Sequence, residues 1–250
     1  MWEARATLRD EARRNLLTLL GKQRLGGPSP FHRLAWTLFD GDPEAKRDFL
    51  FVVVAERPLT LVVRSAKRPP EEHALWRLDG LRPFAPAFEA GQALTLRARC
   101  SISSATMNPR EGETSRRTDA PRGSKKGARG VRRDPVFEAW LARPADGRPP
   151  LAELAEAPAL EWLERQSGRC GFAFAEDEMV AADYERRRIR LGGRPFALSS
   201  VLYEGLVTVA DPLAFTAMLR EGLGRHRAYG FGLAQVAPPE LARARLGLDG

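Results

Sequence analysis

The chain has 250 residues, with 40 Lys and Arg against 32 Asp and Glu for a net charge of +8, and it is 43% hydrophobic and 29% charged. That composition excludes disorder as the main state and biases the surface toward polyanions. At this length about 70 to 75% of the unfolded chain's surface can be buried, enough for one large domain or two small ones sharing an interface. The longest apolar run, residues 49–55 (FLFVVVA), falls well short of the roughly 20 residues of a membrane helix, and the opening MWEARATLRD has no apolar signal core. A cytoplasmic protein with no membrane partner is therefore expected. Cys100 and Cys170 lack CxxC spacing, and His32, His73 and His226 form no HxxxH or HExxH pair, so neither a metal site nor a cofactor is expected.

Residues 4–9 have strand character. From Asp10 onward, Leu16, Leu17, Leu19 and Leu20 recur at helical spacing as far as Gly21. After the turn Gly26-Gly27-Pro28, Ser29 reads as an N-cap and Pro30 as the first helical residue. The helix that follows carries the apolar stripe Phe31, Leu34, Ala35, Leu38 and Phe39, has His32 and Arg33 in its first turn, and ends at residues 40–43 (DGDP). Residues 49–55 and 59–63 read as the two strands of a hairpin. Residues 69–78 (PPEEHALWRL) open with two prolines and two acidic residues, which predicts a helix start, and residues 81–88, with two prolines, fit an edge strand or an extended loop. The order so far is βαββαβ.

The same order returns in the second half. Residues 93–102 alternate as a strand, with Leu94, Leu96, Ala98 and Cys100 on one face and Thr95, Arg97, Arg99 and Ser101 on the other. Residues 110–133 lose all periodicity and hold nine Lys and Arg against three Asp and Glu, a local net charge of +6. Helical patterns resume at residues 135–142 and 151–165, with Trp140 and Trp162 as core anchors. Residues 172–174 and 189–191 flank a charged, hairpin-like region containing Glu185-Arg186-Arg187-Arg188. A strand at 201–209, a helix from Asp211-Pro212 to about Glu221 and a closing strand at 231–236 complete the pattern. The predicted fold is α+β, two tandem ferredoxin-like βαββαβ units, with domains at 1–90 and 91–240, a basic insertion at 110–133, a glycine-rich loop at 222–232 and a tail at 241–250.

The run GLGRHRAYGFGL (residues 222–233) joins a helix end to a strand with four glycines and the basic residues Arg225, His226 and Arg227. Gly224, Gly230 and Gly232 permit positive φ and close backbone approach to a phosphate, while the arginines offer planar donors. The same glycines also suit a plain helix end and a tight turn. The run lacks GxxxxGK[ST] spacing and a preceding strand, which disfavours a nucleotide site.

The tract YEGLVTVADPLAF (residues 203–215), followed by GLGRHRAYGFGLAQVAP (222–238), resembles the ending of the CasE-like CRISPR repeat-processing endoribonucleases. The tracts HRLAWTLF (32–39), KRDFLF (46–51) and LRAR (96–99), with Asn108-Pro109 after the last, match in order and spacing, so the similarity runs from about residue 4 to 238. The resemblance implies two fused ferredoxin-like domains that bind the stem-loop of a CRISPR repeat transcript and cut on the 3′ side of the stem without a metal. It further implies attack by the ribose 2′-hydroxyl, giving a 2′,3′-cyclic phosphate and a 5′-hydroxyl, and retention of the enzyme on its product as a subunit of a multisubunit interference complex. By position the family's acid/base histidine is His32. The family often has a tyrosine three residues earlier, where this chain has Ser29; that role is either absent or taken by Arg33, Arg227 or Tyr229. The family's basic loop residue aligns with Arg227, and His226, standing where a small residue is more usual, is a second candidate.

RNA contacts are expected along three basic stretches: Arg116, Arg117, Lys125, Lys126, Arg129, Arg132 and Arg133; then Arg186, Arg187, Arg188, Arg190 and Arg194; then the glycine loop. Aromatic residues do not interleave with these runs, so recognition should follow stem shape and backbone more than stacked bases. The alternative reading, prompted by Ser29, is a weakly active or inactive subunit that holds a crRNA hairpin in an effector complex.

Overall fold

A computed structural model of the chain describes residues 1–12, 30–39, 47–106, 131–191 and 194–240. The predicted helix from Asp10 enters this range for its first turn, and Ser29, most of the 110–133 insertion and the tail 241–250 lie outside it. The first sheet is built from β1 (Trp2–Leu8), β2 (Phe49–Glu56), β3 (Leu59–Ser65) and β4 (Trp76–Pro83), with helix α1 (Pro30–Trp36) between the first two. The strands are antiparallel in the order β2-β3-β1-β4, the ferredoxin-like arrangement. Leu34, Ala35, Leu38 and Phe39 on and just beyond α1 close one face of the sheet over Ala6, Phe49, Phe51, Leu61, Val63 and Trp76. The stripe read from the sequence is therefore the core-facing side of the helix.

The helix predicted over residues 69–78 is not there. The connection after β3 is irregular, and Trp76 opens a strand in which buried Trp76 and half-buried Leu78 alternate with exposed Arg77 and Asp79. Two long-range contacts override the local start signals. The Trp76 indole donates to Thr37 Oγ1 at 2.8 Å, and His73 Nδ1 accepts from the backbone N–H of Leu75 and Trp76 while its Nε2 sits 2.6 Å from Thr37 O. These bonds tie the connection to the end of α1 and fix a period of two where a helix would need 3.6. The edge strand expected at 81–88 is thus β4, begun earlier and ended at Pro83.

The second half adds β5 (Ala93–Ser101), a small ladder of β6 (Ser104–Thr106) with β7 (Val131–Arg133), helices α2 (Pro135–Leu141) and α3 (Glu156–Ser167), β8 (Phe172–Ala173), β9 (Met179–Leu191), β10 (Arg194–Val209), α4 (Pro212–Glu221) and β11 (Ala234–Ala237). Its sheet order is β11-β5-β10-β8, with β9 continuing the β8 side of β10, which repeats the ferredoxin-like arrangement in full. The expected alternation of β5 holds on its apolar face: Leu94, Leu96, Ala98 and Cys100 are all buried beneath Trp162, Leu163, Phe215 and Leu219 of α3 and α4. Asp211 caps α4 through the N–H groups of Leu213 and Ala214, as its position before Pro212 predicts.

In place of a short hairpin, β9 and β10 form one long ribbon, paired from Gly205 opposite Met179 to Arg194 opposite Leu191. β5 accompanies β10 only from Ser200 to Thr208, so residues 194–199 and their partners extend past the sheet. Six residues at strand rise reach about 20 Å. The ribbon leaves the sheet at a register shift opposite Ser200 and Leu202, where Asp183 adopts φ +50° and receives Arg99 on its carbonyl at 3.2 Å and its carboxylate at 3.1 Å. Leu50, Val52 and Val62 of the first sheet meet Leu233 of the second half in a small apolar cluster of their own. No helix among the described residues is long and apolar enough to cross a membrane.

Candidate functional site

His32 stands in the first turn of α1, its ring stacked on Phe49 (6.1 Å, 30°) and Phe51 (6.4 Å, 23°) of β2. One helical turn later, Trp36 donates its indole N–H to His32 Nε2 at 3.1 Å. Tryptophan can only donate, so Nε2 is the accepting nitrogen and the hydrogen of the neutral ring rests on Nδ1. That Nδ1 is buried without a hydrogen-bond partner. Burial, and then the positive charge of Arg47, hold the His32 pKa below its ordinary value.

Arg47 lies just before β2. Its pKa is lowered by burial and then by the charge of Arg227. Arg47 Nη1 and Arg33 Nε are also buried without a hydrogen-bond partner. Among the described residues, no carboxylate forms an ion pair with Arg33, Arg47 or Arg227. Each buried donor left unsatisfied costs about 1–3 kcal/mol. His32 Nδ1 and Arg47 Nη1, two such nitrogens whose groups interact electrostatically and have no carboxylate partner among the described residues, suit an anion.

Arg227 comes from the other half of the chain, and the glycine loop explains how it arrives. β2 is an edge strand of the first sheet. The loop crosses that edge: Gly222 rests on the Leu50 side chain on one face, and Gly230 rests on the Phe51 ring on the other. The short helical turn Arg227–Tyr229 is thereby carried around the edge to lie against β2 and α1. At Gly230 the backbone has φ +85°, and a Cβ would stand 3.0 Å from Phe51 Cε2; at Gly232, φ is +84° and a Cβ would stand 2.4 Å from the Leu223 carbonyl oxygen. A Cβ at Gly224 would stand 3.0 Å from Trp162 Cη2. All of these glycines are packed against protein atoms, so their conformational freedom serves the seating of the loop.

His226 occupies a second basic cluster. It takes the left-handed conformation, φ +58°, at the start of the turn, and its Nδ1 lies 2.8 Å from Ser101 Oγ at the end of β5. Burial, then Arg225, then Arg132 push its pKa below the ordinary value. Arg225 forms an antiparallel bridge with Ser101, and Arg132 on β7 has its own pKa lowered by burial and then Arg225. Tyr229 sets its ring edge toward His226, 6.2 Å between centroids. The two candidate histidines thus belong to different clusters, His32 with Arg47 and Arg227, His226 with Arg225 and Arg132.

Several of the predicted RNA-binding arginines have work within the chain. Arg186 lies 3.7 Å from Asp134 and covers the Phe137 ring at 3.9 Å, and Arg133 pairs with Glu138 at 3.5 Å. Asp134 also caps α2 and accepts from Tyr184 and Ser199, both at 2.5 Å, so this group pins the base of the ribbon to α2. Arg187 is exposed and pairs with Glu185 at 2.8 Å. Arg188, Arg190 and Arg194 lie in the projecting part of the ribbon backbone. Arg116, Arg117, Lys125, Lys126 and Arg129 lie outside the described residues, as does Ser29. The residues that sequence reasoning passed over are Arg47 and Trp36. Arg47 sits in the KRDFLF tract, where a basic residue ahead of an apolar run is the available signal. Trp36, four residues after His32, is a helical neighbour of it.

Two ferredoxin-like sheets joined through a glycine loop, with a cationic cluster at the junction, define the class of fold. The model of the family described as CRISPR associated protein matches residues 1–238, and the chain belongs to that family. A 92-residue stretch, 33% of this chain, is 37% identical to the CRISPR-associated endoribonuclease Cse3 of Thermus thermophilus, and it spans 44% of that protein. Over 211 residues, 83% of this chain and 90% of the relative, it is 25% identical to the CRISPR system Cascade subunit CasE of Escherichia coli. Among solved structures, Thermus thermophilus Cse3 bound to an RNA representing a pre-cleavage complex matches with a TM-score of 0.62 at 22% identity, covering 95% of this chain and 98% of that one. Cas6e of Escherichia coli matches with a TM-score of 0.58 at 18% identity, over 95% and 100% of the two chains. These structural likenesses establish the shared fold.

Proposed function

We propose that this chain is a metal-independent endoribonuclease that cuts the repeat stem-loops of a CRISPR precursor transcript, and that it stays on the product hairpin as a cytoplasmic subunit of an interference complex. The observation that carries the reading is His32, its Nδ1 buried without a partner on the helix face of β2 under the influence of the Arg47 charge, with the Arg227–Tyr229 turn packed against the same strand and helix. The names of its relatives, an endoribonuclease and a Cascade subunit, support it.

RNA carries its own nucleophile, so the protein has to align it, move protons and stabilise the phosphoryl oxygens. The 2′-hydroxyl oxygen bonds to the adjacent phosphorus, its proton passes to His32 Nε2 as that nitrogen gives up the bond from the Trp36 indole, and the bond from phosphorus to the 5′ oxygen breaks. The imidazolium returns a proton to that oxygen, leaving a 2′,3′-cyclic phosphate and a 5′-hydroxyl. A histidine kept neutral by burial and by Arg47 is set to accept the first proton. Arg47, Arg33 and Arg227 hold the phosphoryl oxygens. The two domains contribute different parts: 1–90 supplies the histidine, and 91–240 supplies the loop and the grip on the stem. That grip consists of Arg132, Arg225 and His226 beside the loop, the ribbon arginines, and the 110–133 insertion, all reading stem shape and backbone.

The test is His32→Ala with the repeat hairpin. Cleavage should fall by at least about 100-fold, the scale of acid/base catalysis, with affinity unchanged. A variant that cuts as the wild type does would move the chemistry to the second cluster at His226. A wild-type protein that binds the hairpin and leaves it intact would favour the alternative of an inactive hairpin-holding subunit.

A further inference from the structure

We propose that Arg64 is a positioning residue for RNA cleavage, seating the glycine loop against α1 by gripping both of the loop's stems. The inference rests on the function proposed above. Arg64 is buried on β3, and its Nη1 donates to the carbonyl oxygens of Leu219 at 2.6 Å and Ala234 at 3.2 Å. Leu219 belongs to the last turn of α4, and Ala234 is the first residue of β11. These are the two ends between which the whole loop runs, so one guanidinium nitrogen joins them.

The other side of the same side chain is anchored in the first sheet. Nε and Nη2 donate to Glu3 Oε2 at 3.1 and 2.5 Å, while Glu3 Oε1 accepts from Arg82 at 2.9 Å. The guanidinium also lies over the Phe84 ring, 3.7 Å from its centroid. Removing such a group from water is costly, and the adjoining cluster of Leu50, Val52, Val62 and Leu233 shows that apolar packing already joins the two halves here. What an apolar residue cannot provide is donors. The last carbonyls of a helix have no partner within it, and Arg64 satisfies Leu219 from the opposite sheet.

The link to the catalytic cluster is short. Arg64 pairs in register with Leu50 of β2, the residue under Gly222, and the next residue along, Phe51, lies under Gly230 and beneath His32. Fixing the stems over β3 therefore fixes where the loop crosses β2 and where the turn carrying Arg227 stops against β2 and α1. Arg64 itself is enclosed and does not reach the RNA.

The test compares wild type, Arg64→Met, Arg64→Lys and Glu3→Gln in single-turnover cleavage of the repeat hairpin, with hairpin affinity and backbone hydrogen exchange measured on the same proteins. Arg64→Met should cut about 10- to 100-fold more slowly, the cost of a misplacement on the ångström scale, with affinity within threefold of wild type. Lysine keeps the charge but cannot span two carbonyls and Glu3, so it should recover part of the rate. The amides of Leu223 and Gly232, which bond to Gly232 O and Arg99 O at 2.8 Å, should lose protection while the β5–β10 ladder keeps its own. Combining Arg64→Met with Arg227→Ala should be no slower than Arg227→Ala alone. Wild-type cleavage by Arg64→Met, unchanged loop protection, or losses that multiply with Arg227→Ala would overturn the proposal. Should Arg64→Met fail to fold, Glu3→Gln decides the matter by the same readouts. Should the wild type not cut at all, the proposed function fails, and the exchange of Leu223 and Gly232 still decides the role of Arg64.

Discussion

Trp36→Phe isolates the contact that sets the proton affinity of His32. The bond from the indole N–H to Nε2 at 3.1 Å exists only while that nitrogen is unprotonated, so it stabilises the neutral ring. Phenylalanine keeps an aromatic ring against Phe49, whose centroid lies 5.0 Å from that of Trp36, and removes the donor. A net hydrogen-bond contribution of about 0.5–1.5 kcal/mol corresponds to roughly 0.4 to 1 pH unit. Burial and Arg47 already hold the His32 pKa down, and losing the indole removes a further force in the same direction, so the variant's pKa must rise. Because His32 acts as a base in its neutral form, the acid limb of the pH–rate profile should move to higher pH by the same amount. The three histidines can be followed individually by NMR in the RNA-free protein, and single-turnover rates from pH 5 to 8 give the kinetic value. A His32 pKa that stays put or falls would refute the reasoning, as would a shifted NMR titration with an unmoved rate profile.

Two other substitutions probe the same cluster from different sides. Arg47→Met should lower the cleavage rate by about 100- to 1000-fold, the scale of a lost oxyanion donor, and change hairpin affinity by less than tenfold, as rate and binding measurements on one preparation will show. Gly230→Ala forces a side chain into φ +85° and sets its Cβ 3.0 Å from Phe51 Cε2, at a backbone cost of about 1–2 kcal/mol. A melting temperature lower by about 2 to 8 °C is expected in a thermal scan, together with slower cleavage.

What was legible in the sequence was whatever burial writes locally. The alternation of Leu94, Leu96, Ala98 and Cys100, the Asp211-Pro212 start of α4 and the stripe on α1 each answer to a single apolar face. Residues 69–78 misled because their helix-start signals are local, while the bonds of His73 and Trp76 to Thr37 are not. The β9–β10 ribbon read as short strands because its projecting part leaves the sheet and has no core to impose a period-two pattern. His32 was singled out through a motif, whereas Arg47 and Trp36, which stand in the same quoted tracts, were passed over. Arg47 matters because a loop from more than 170 residues away crosses β2 to meet it, and nothing in the local sequence records that crossing. The loop's glycines showed that the backbone needed freedom; the structure ties that freedom to packing against Leu50, Phe51, Trp162 and Leu223.

The central claim is that a folded transcript supplies the attacking oxygen while this chain supplies cations and a proton carrier. It is tested most directly by incubating the purified protein with its repeat hairpin in excess EDTA and identifying the ends of the fragments. Cleavage is expected on the 3′ side of the stem, with a 2′,3′-cyclic phosphate on one fragment and a 5′-hydroxyl on the other. An intact hairpin that is cut only after divalent ions are restored, or fragments carrying a 5′-phosphate, would contradict it.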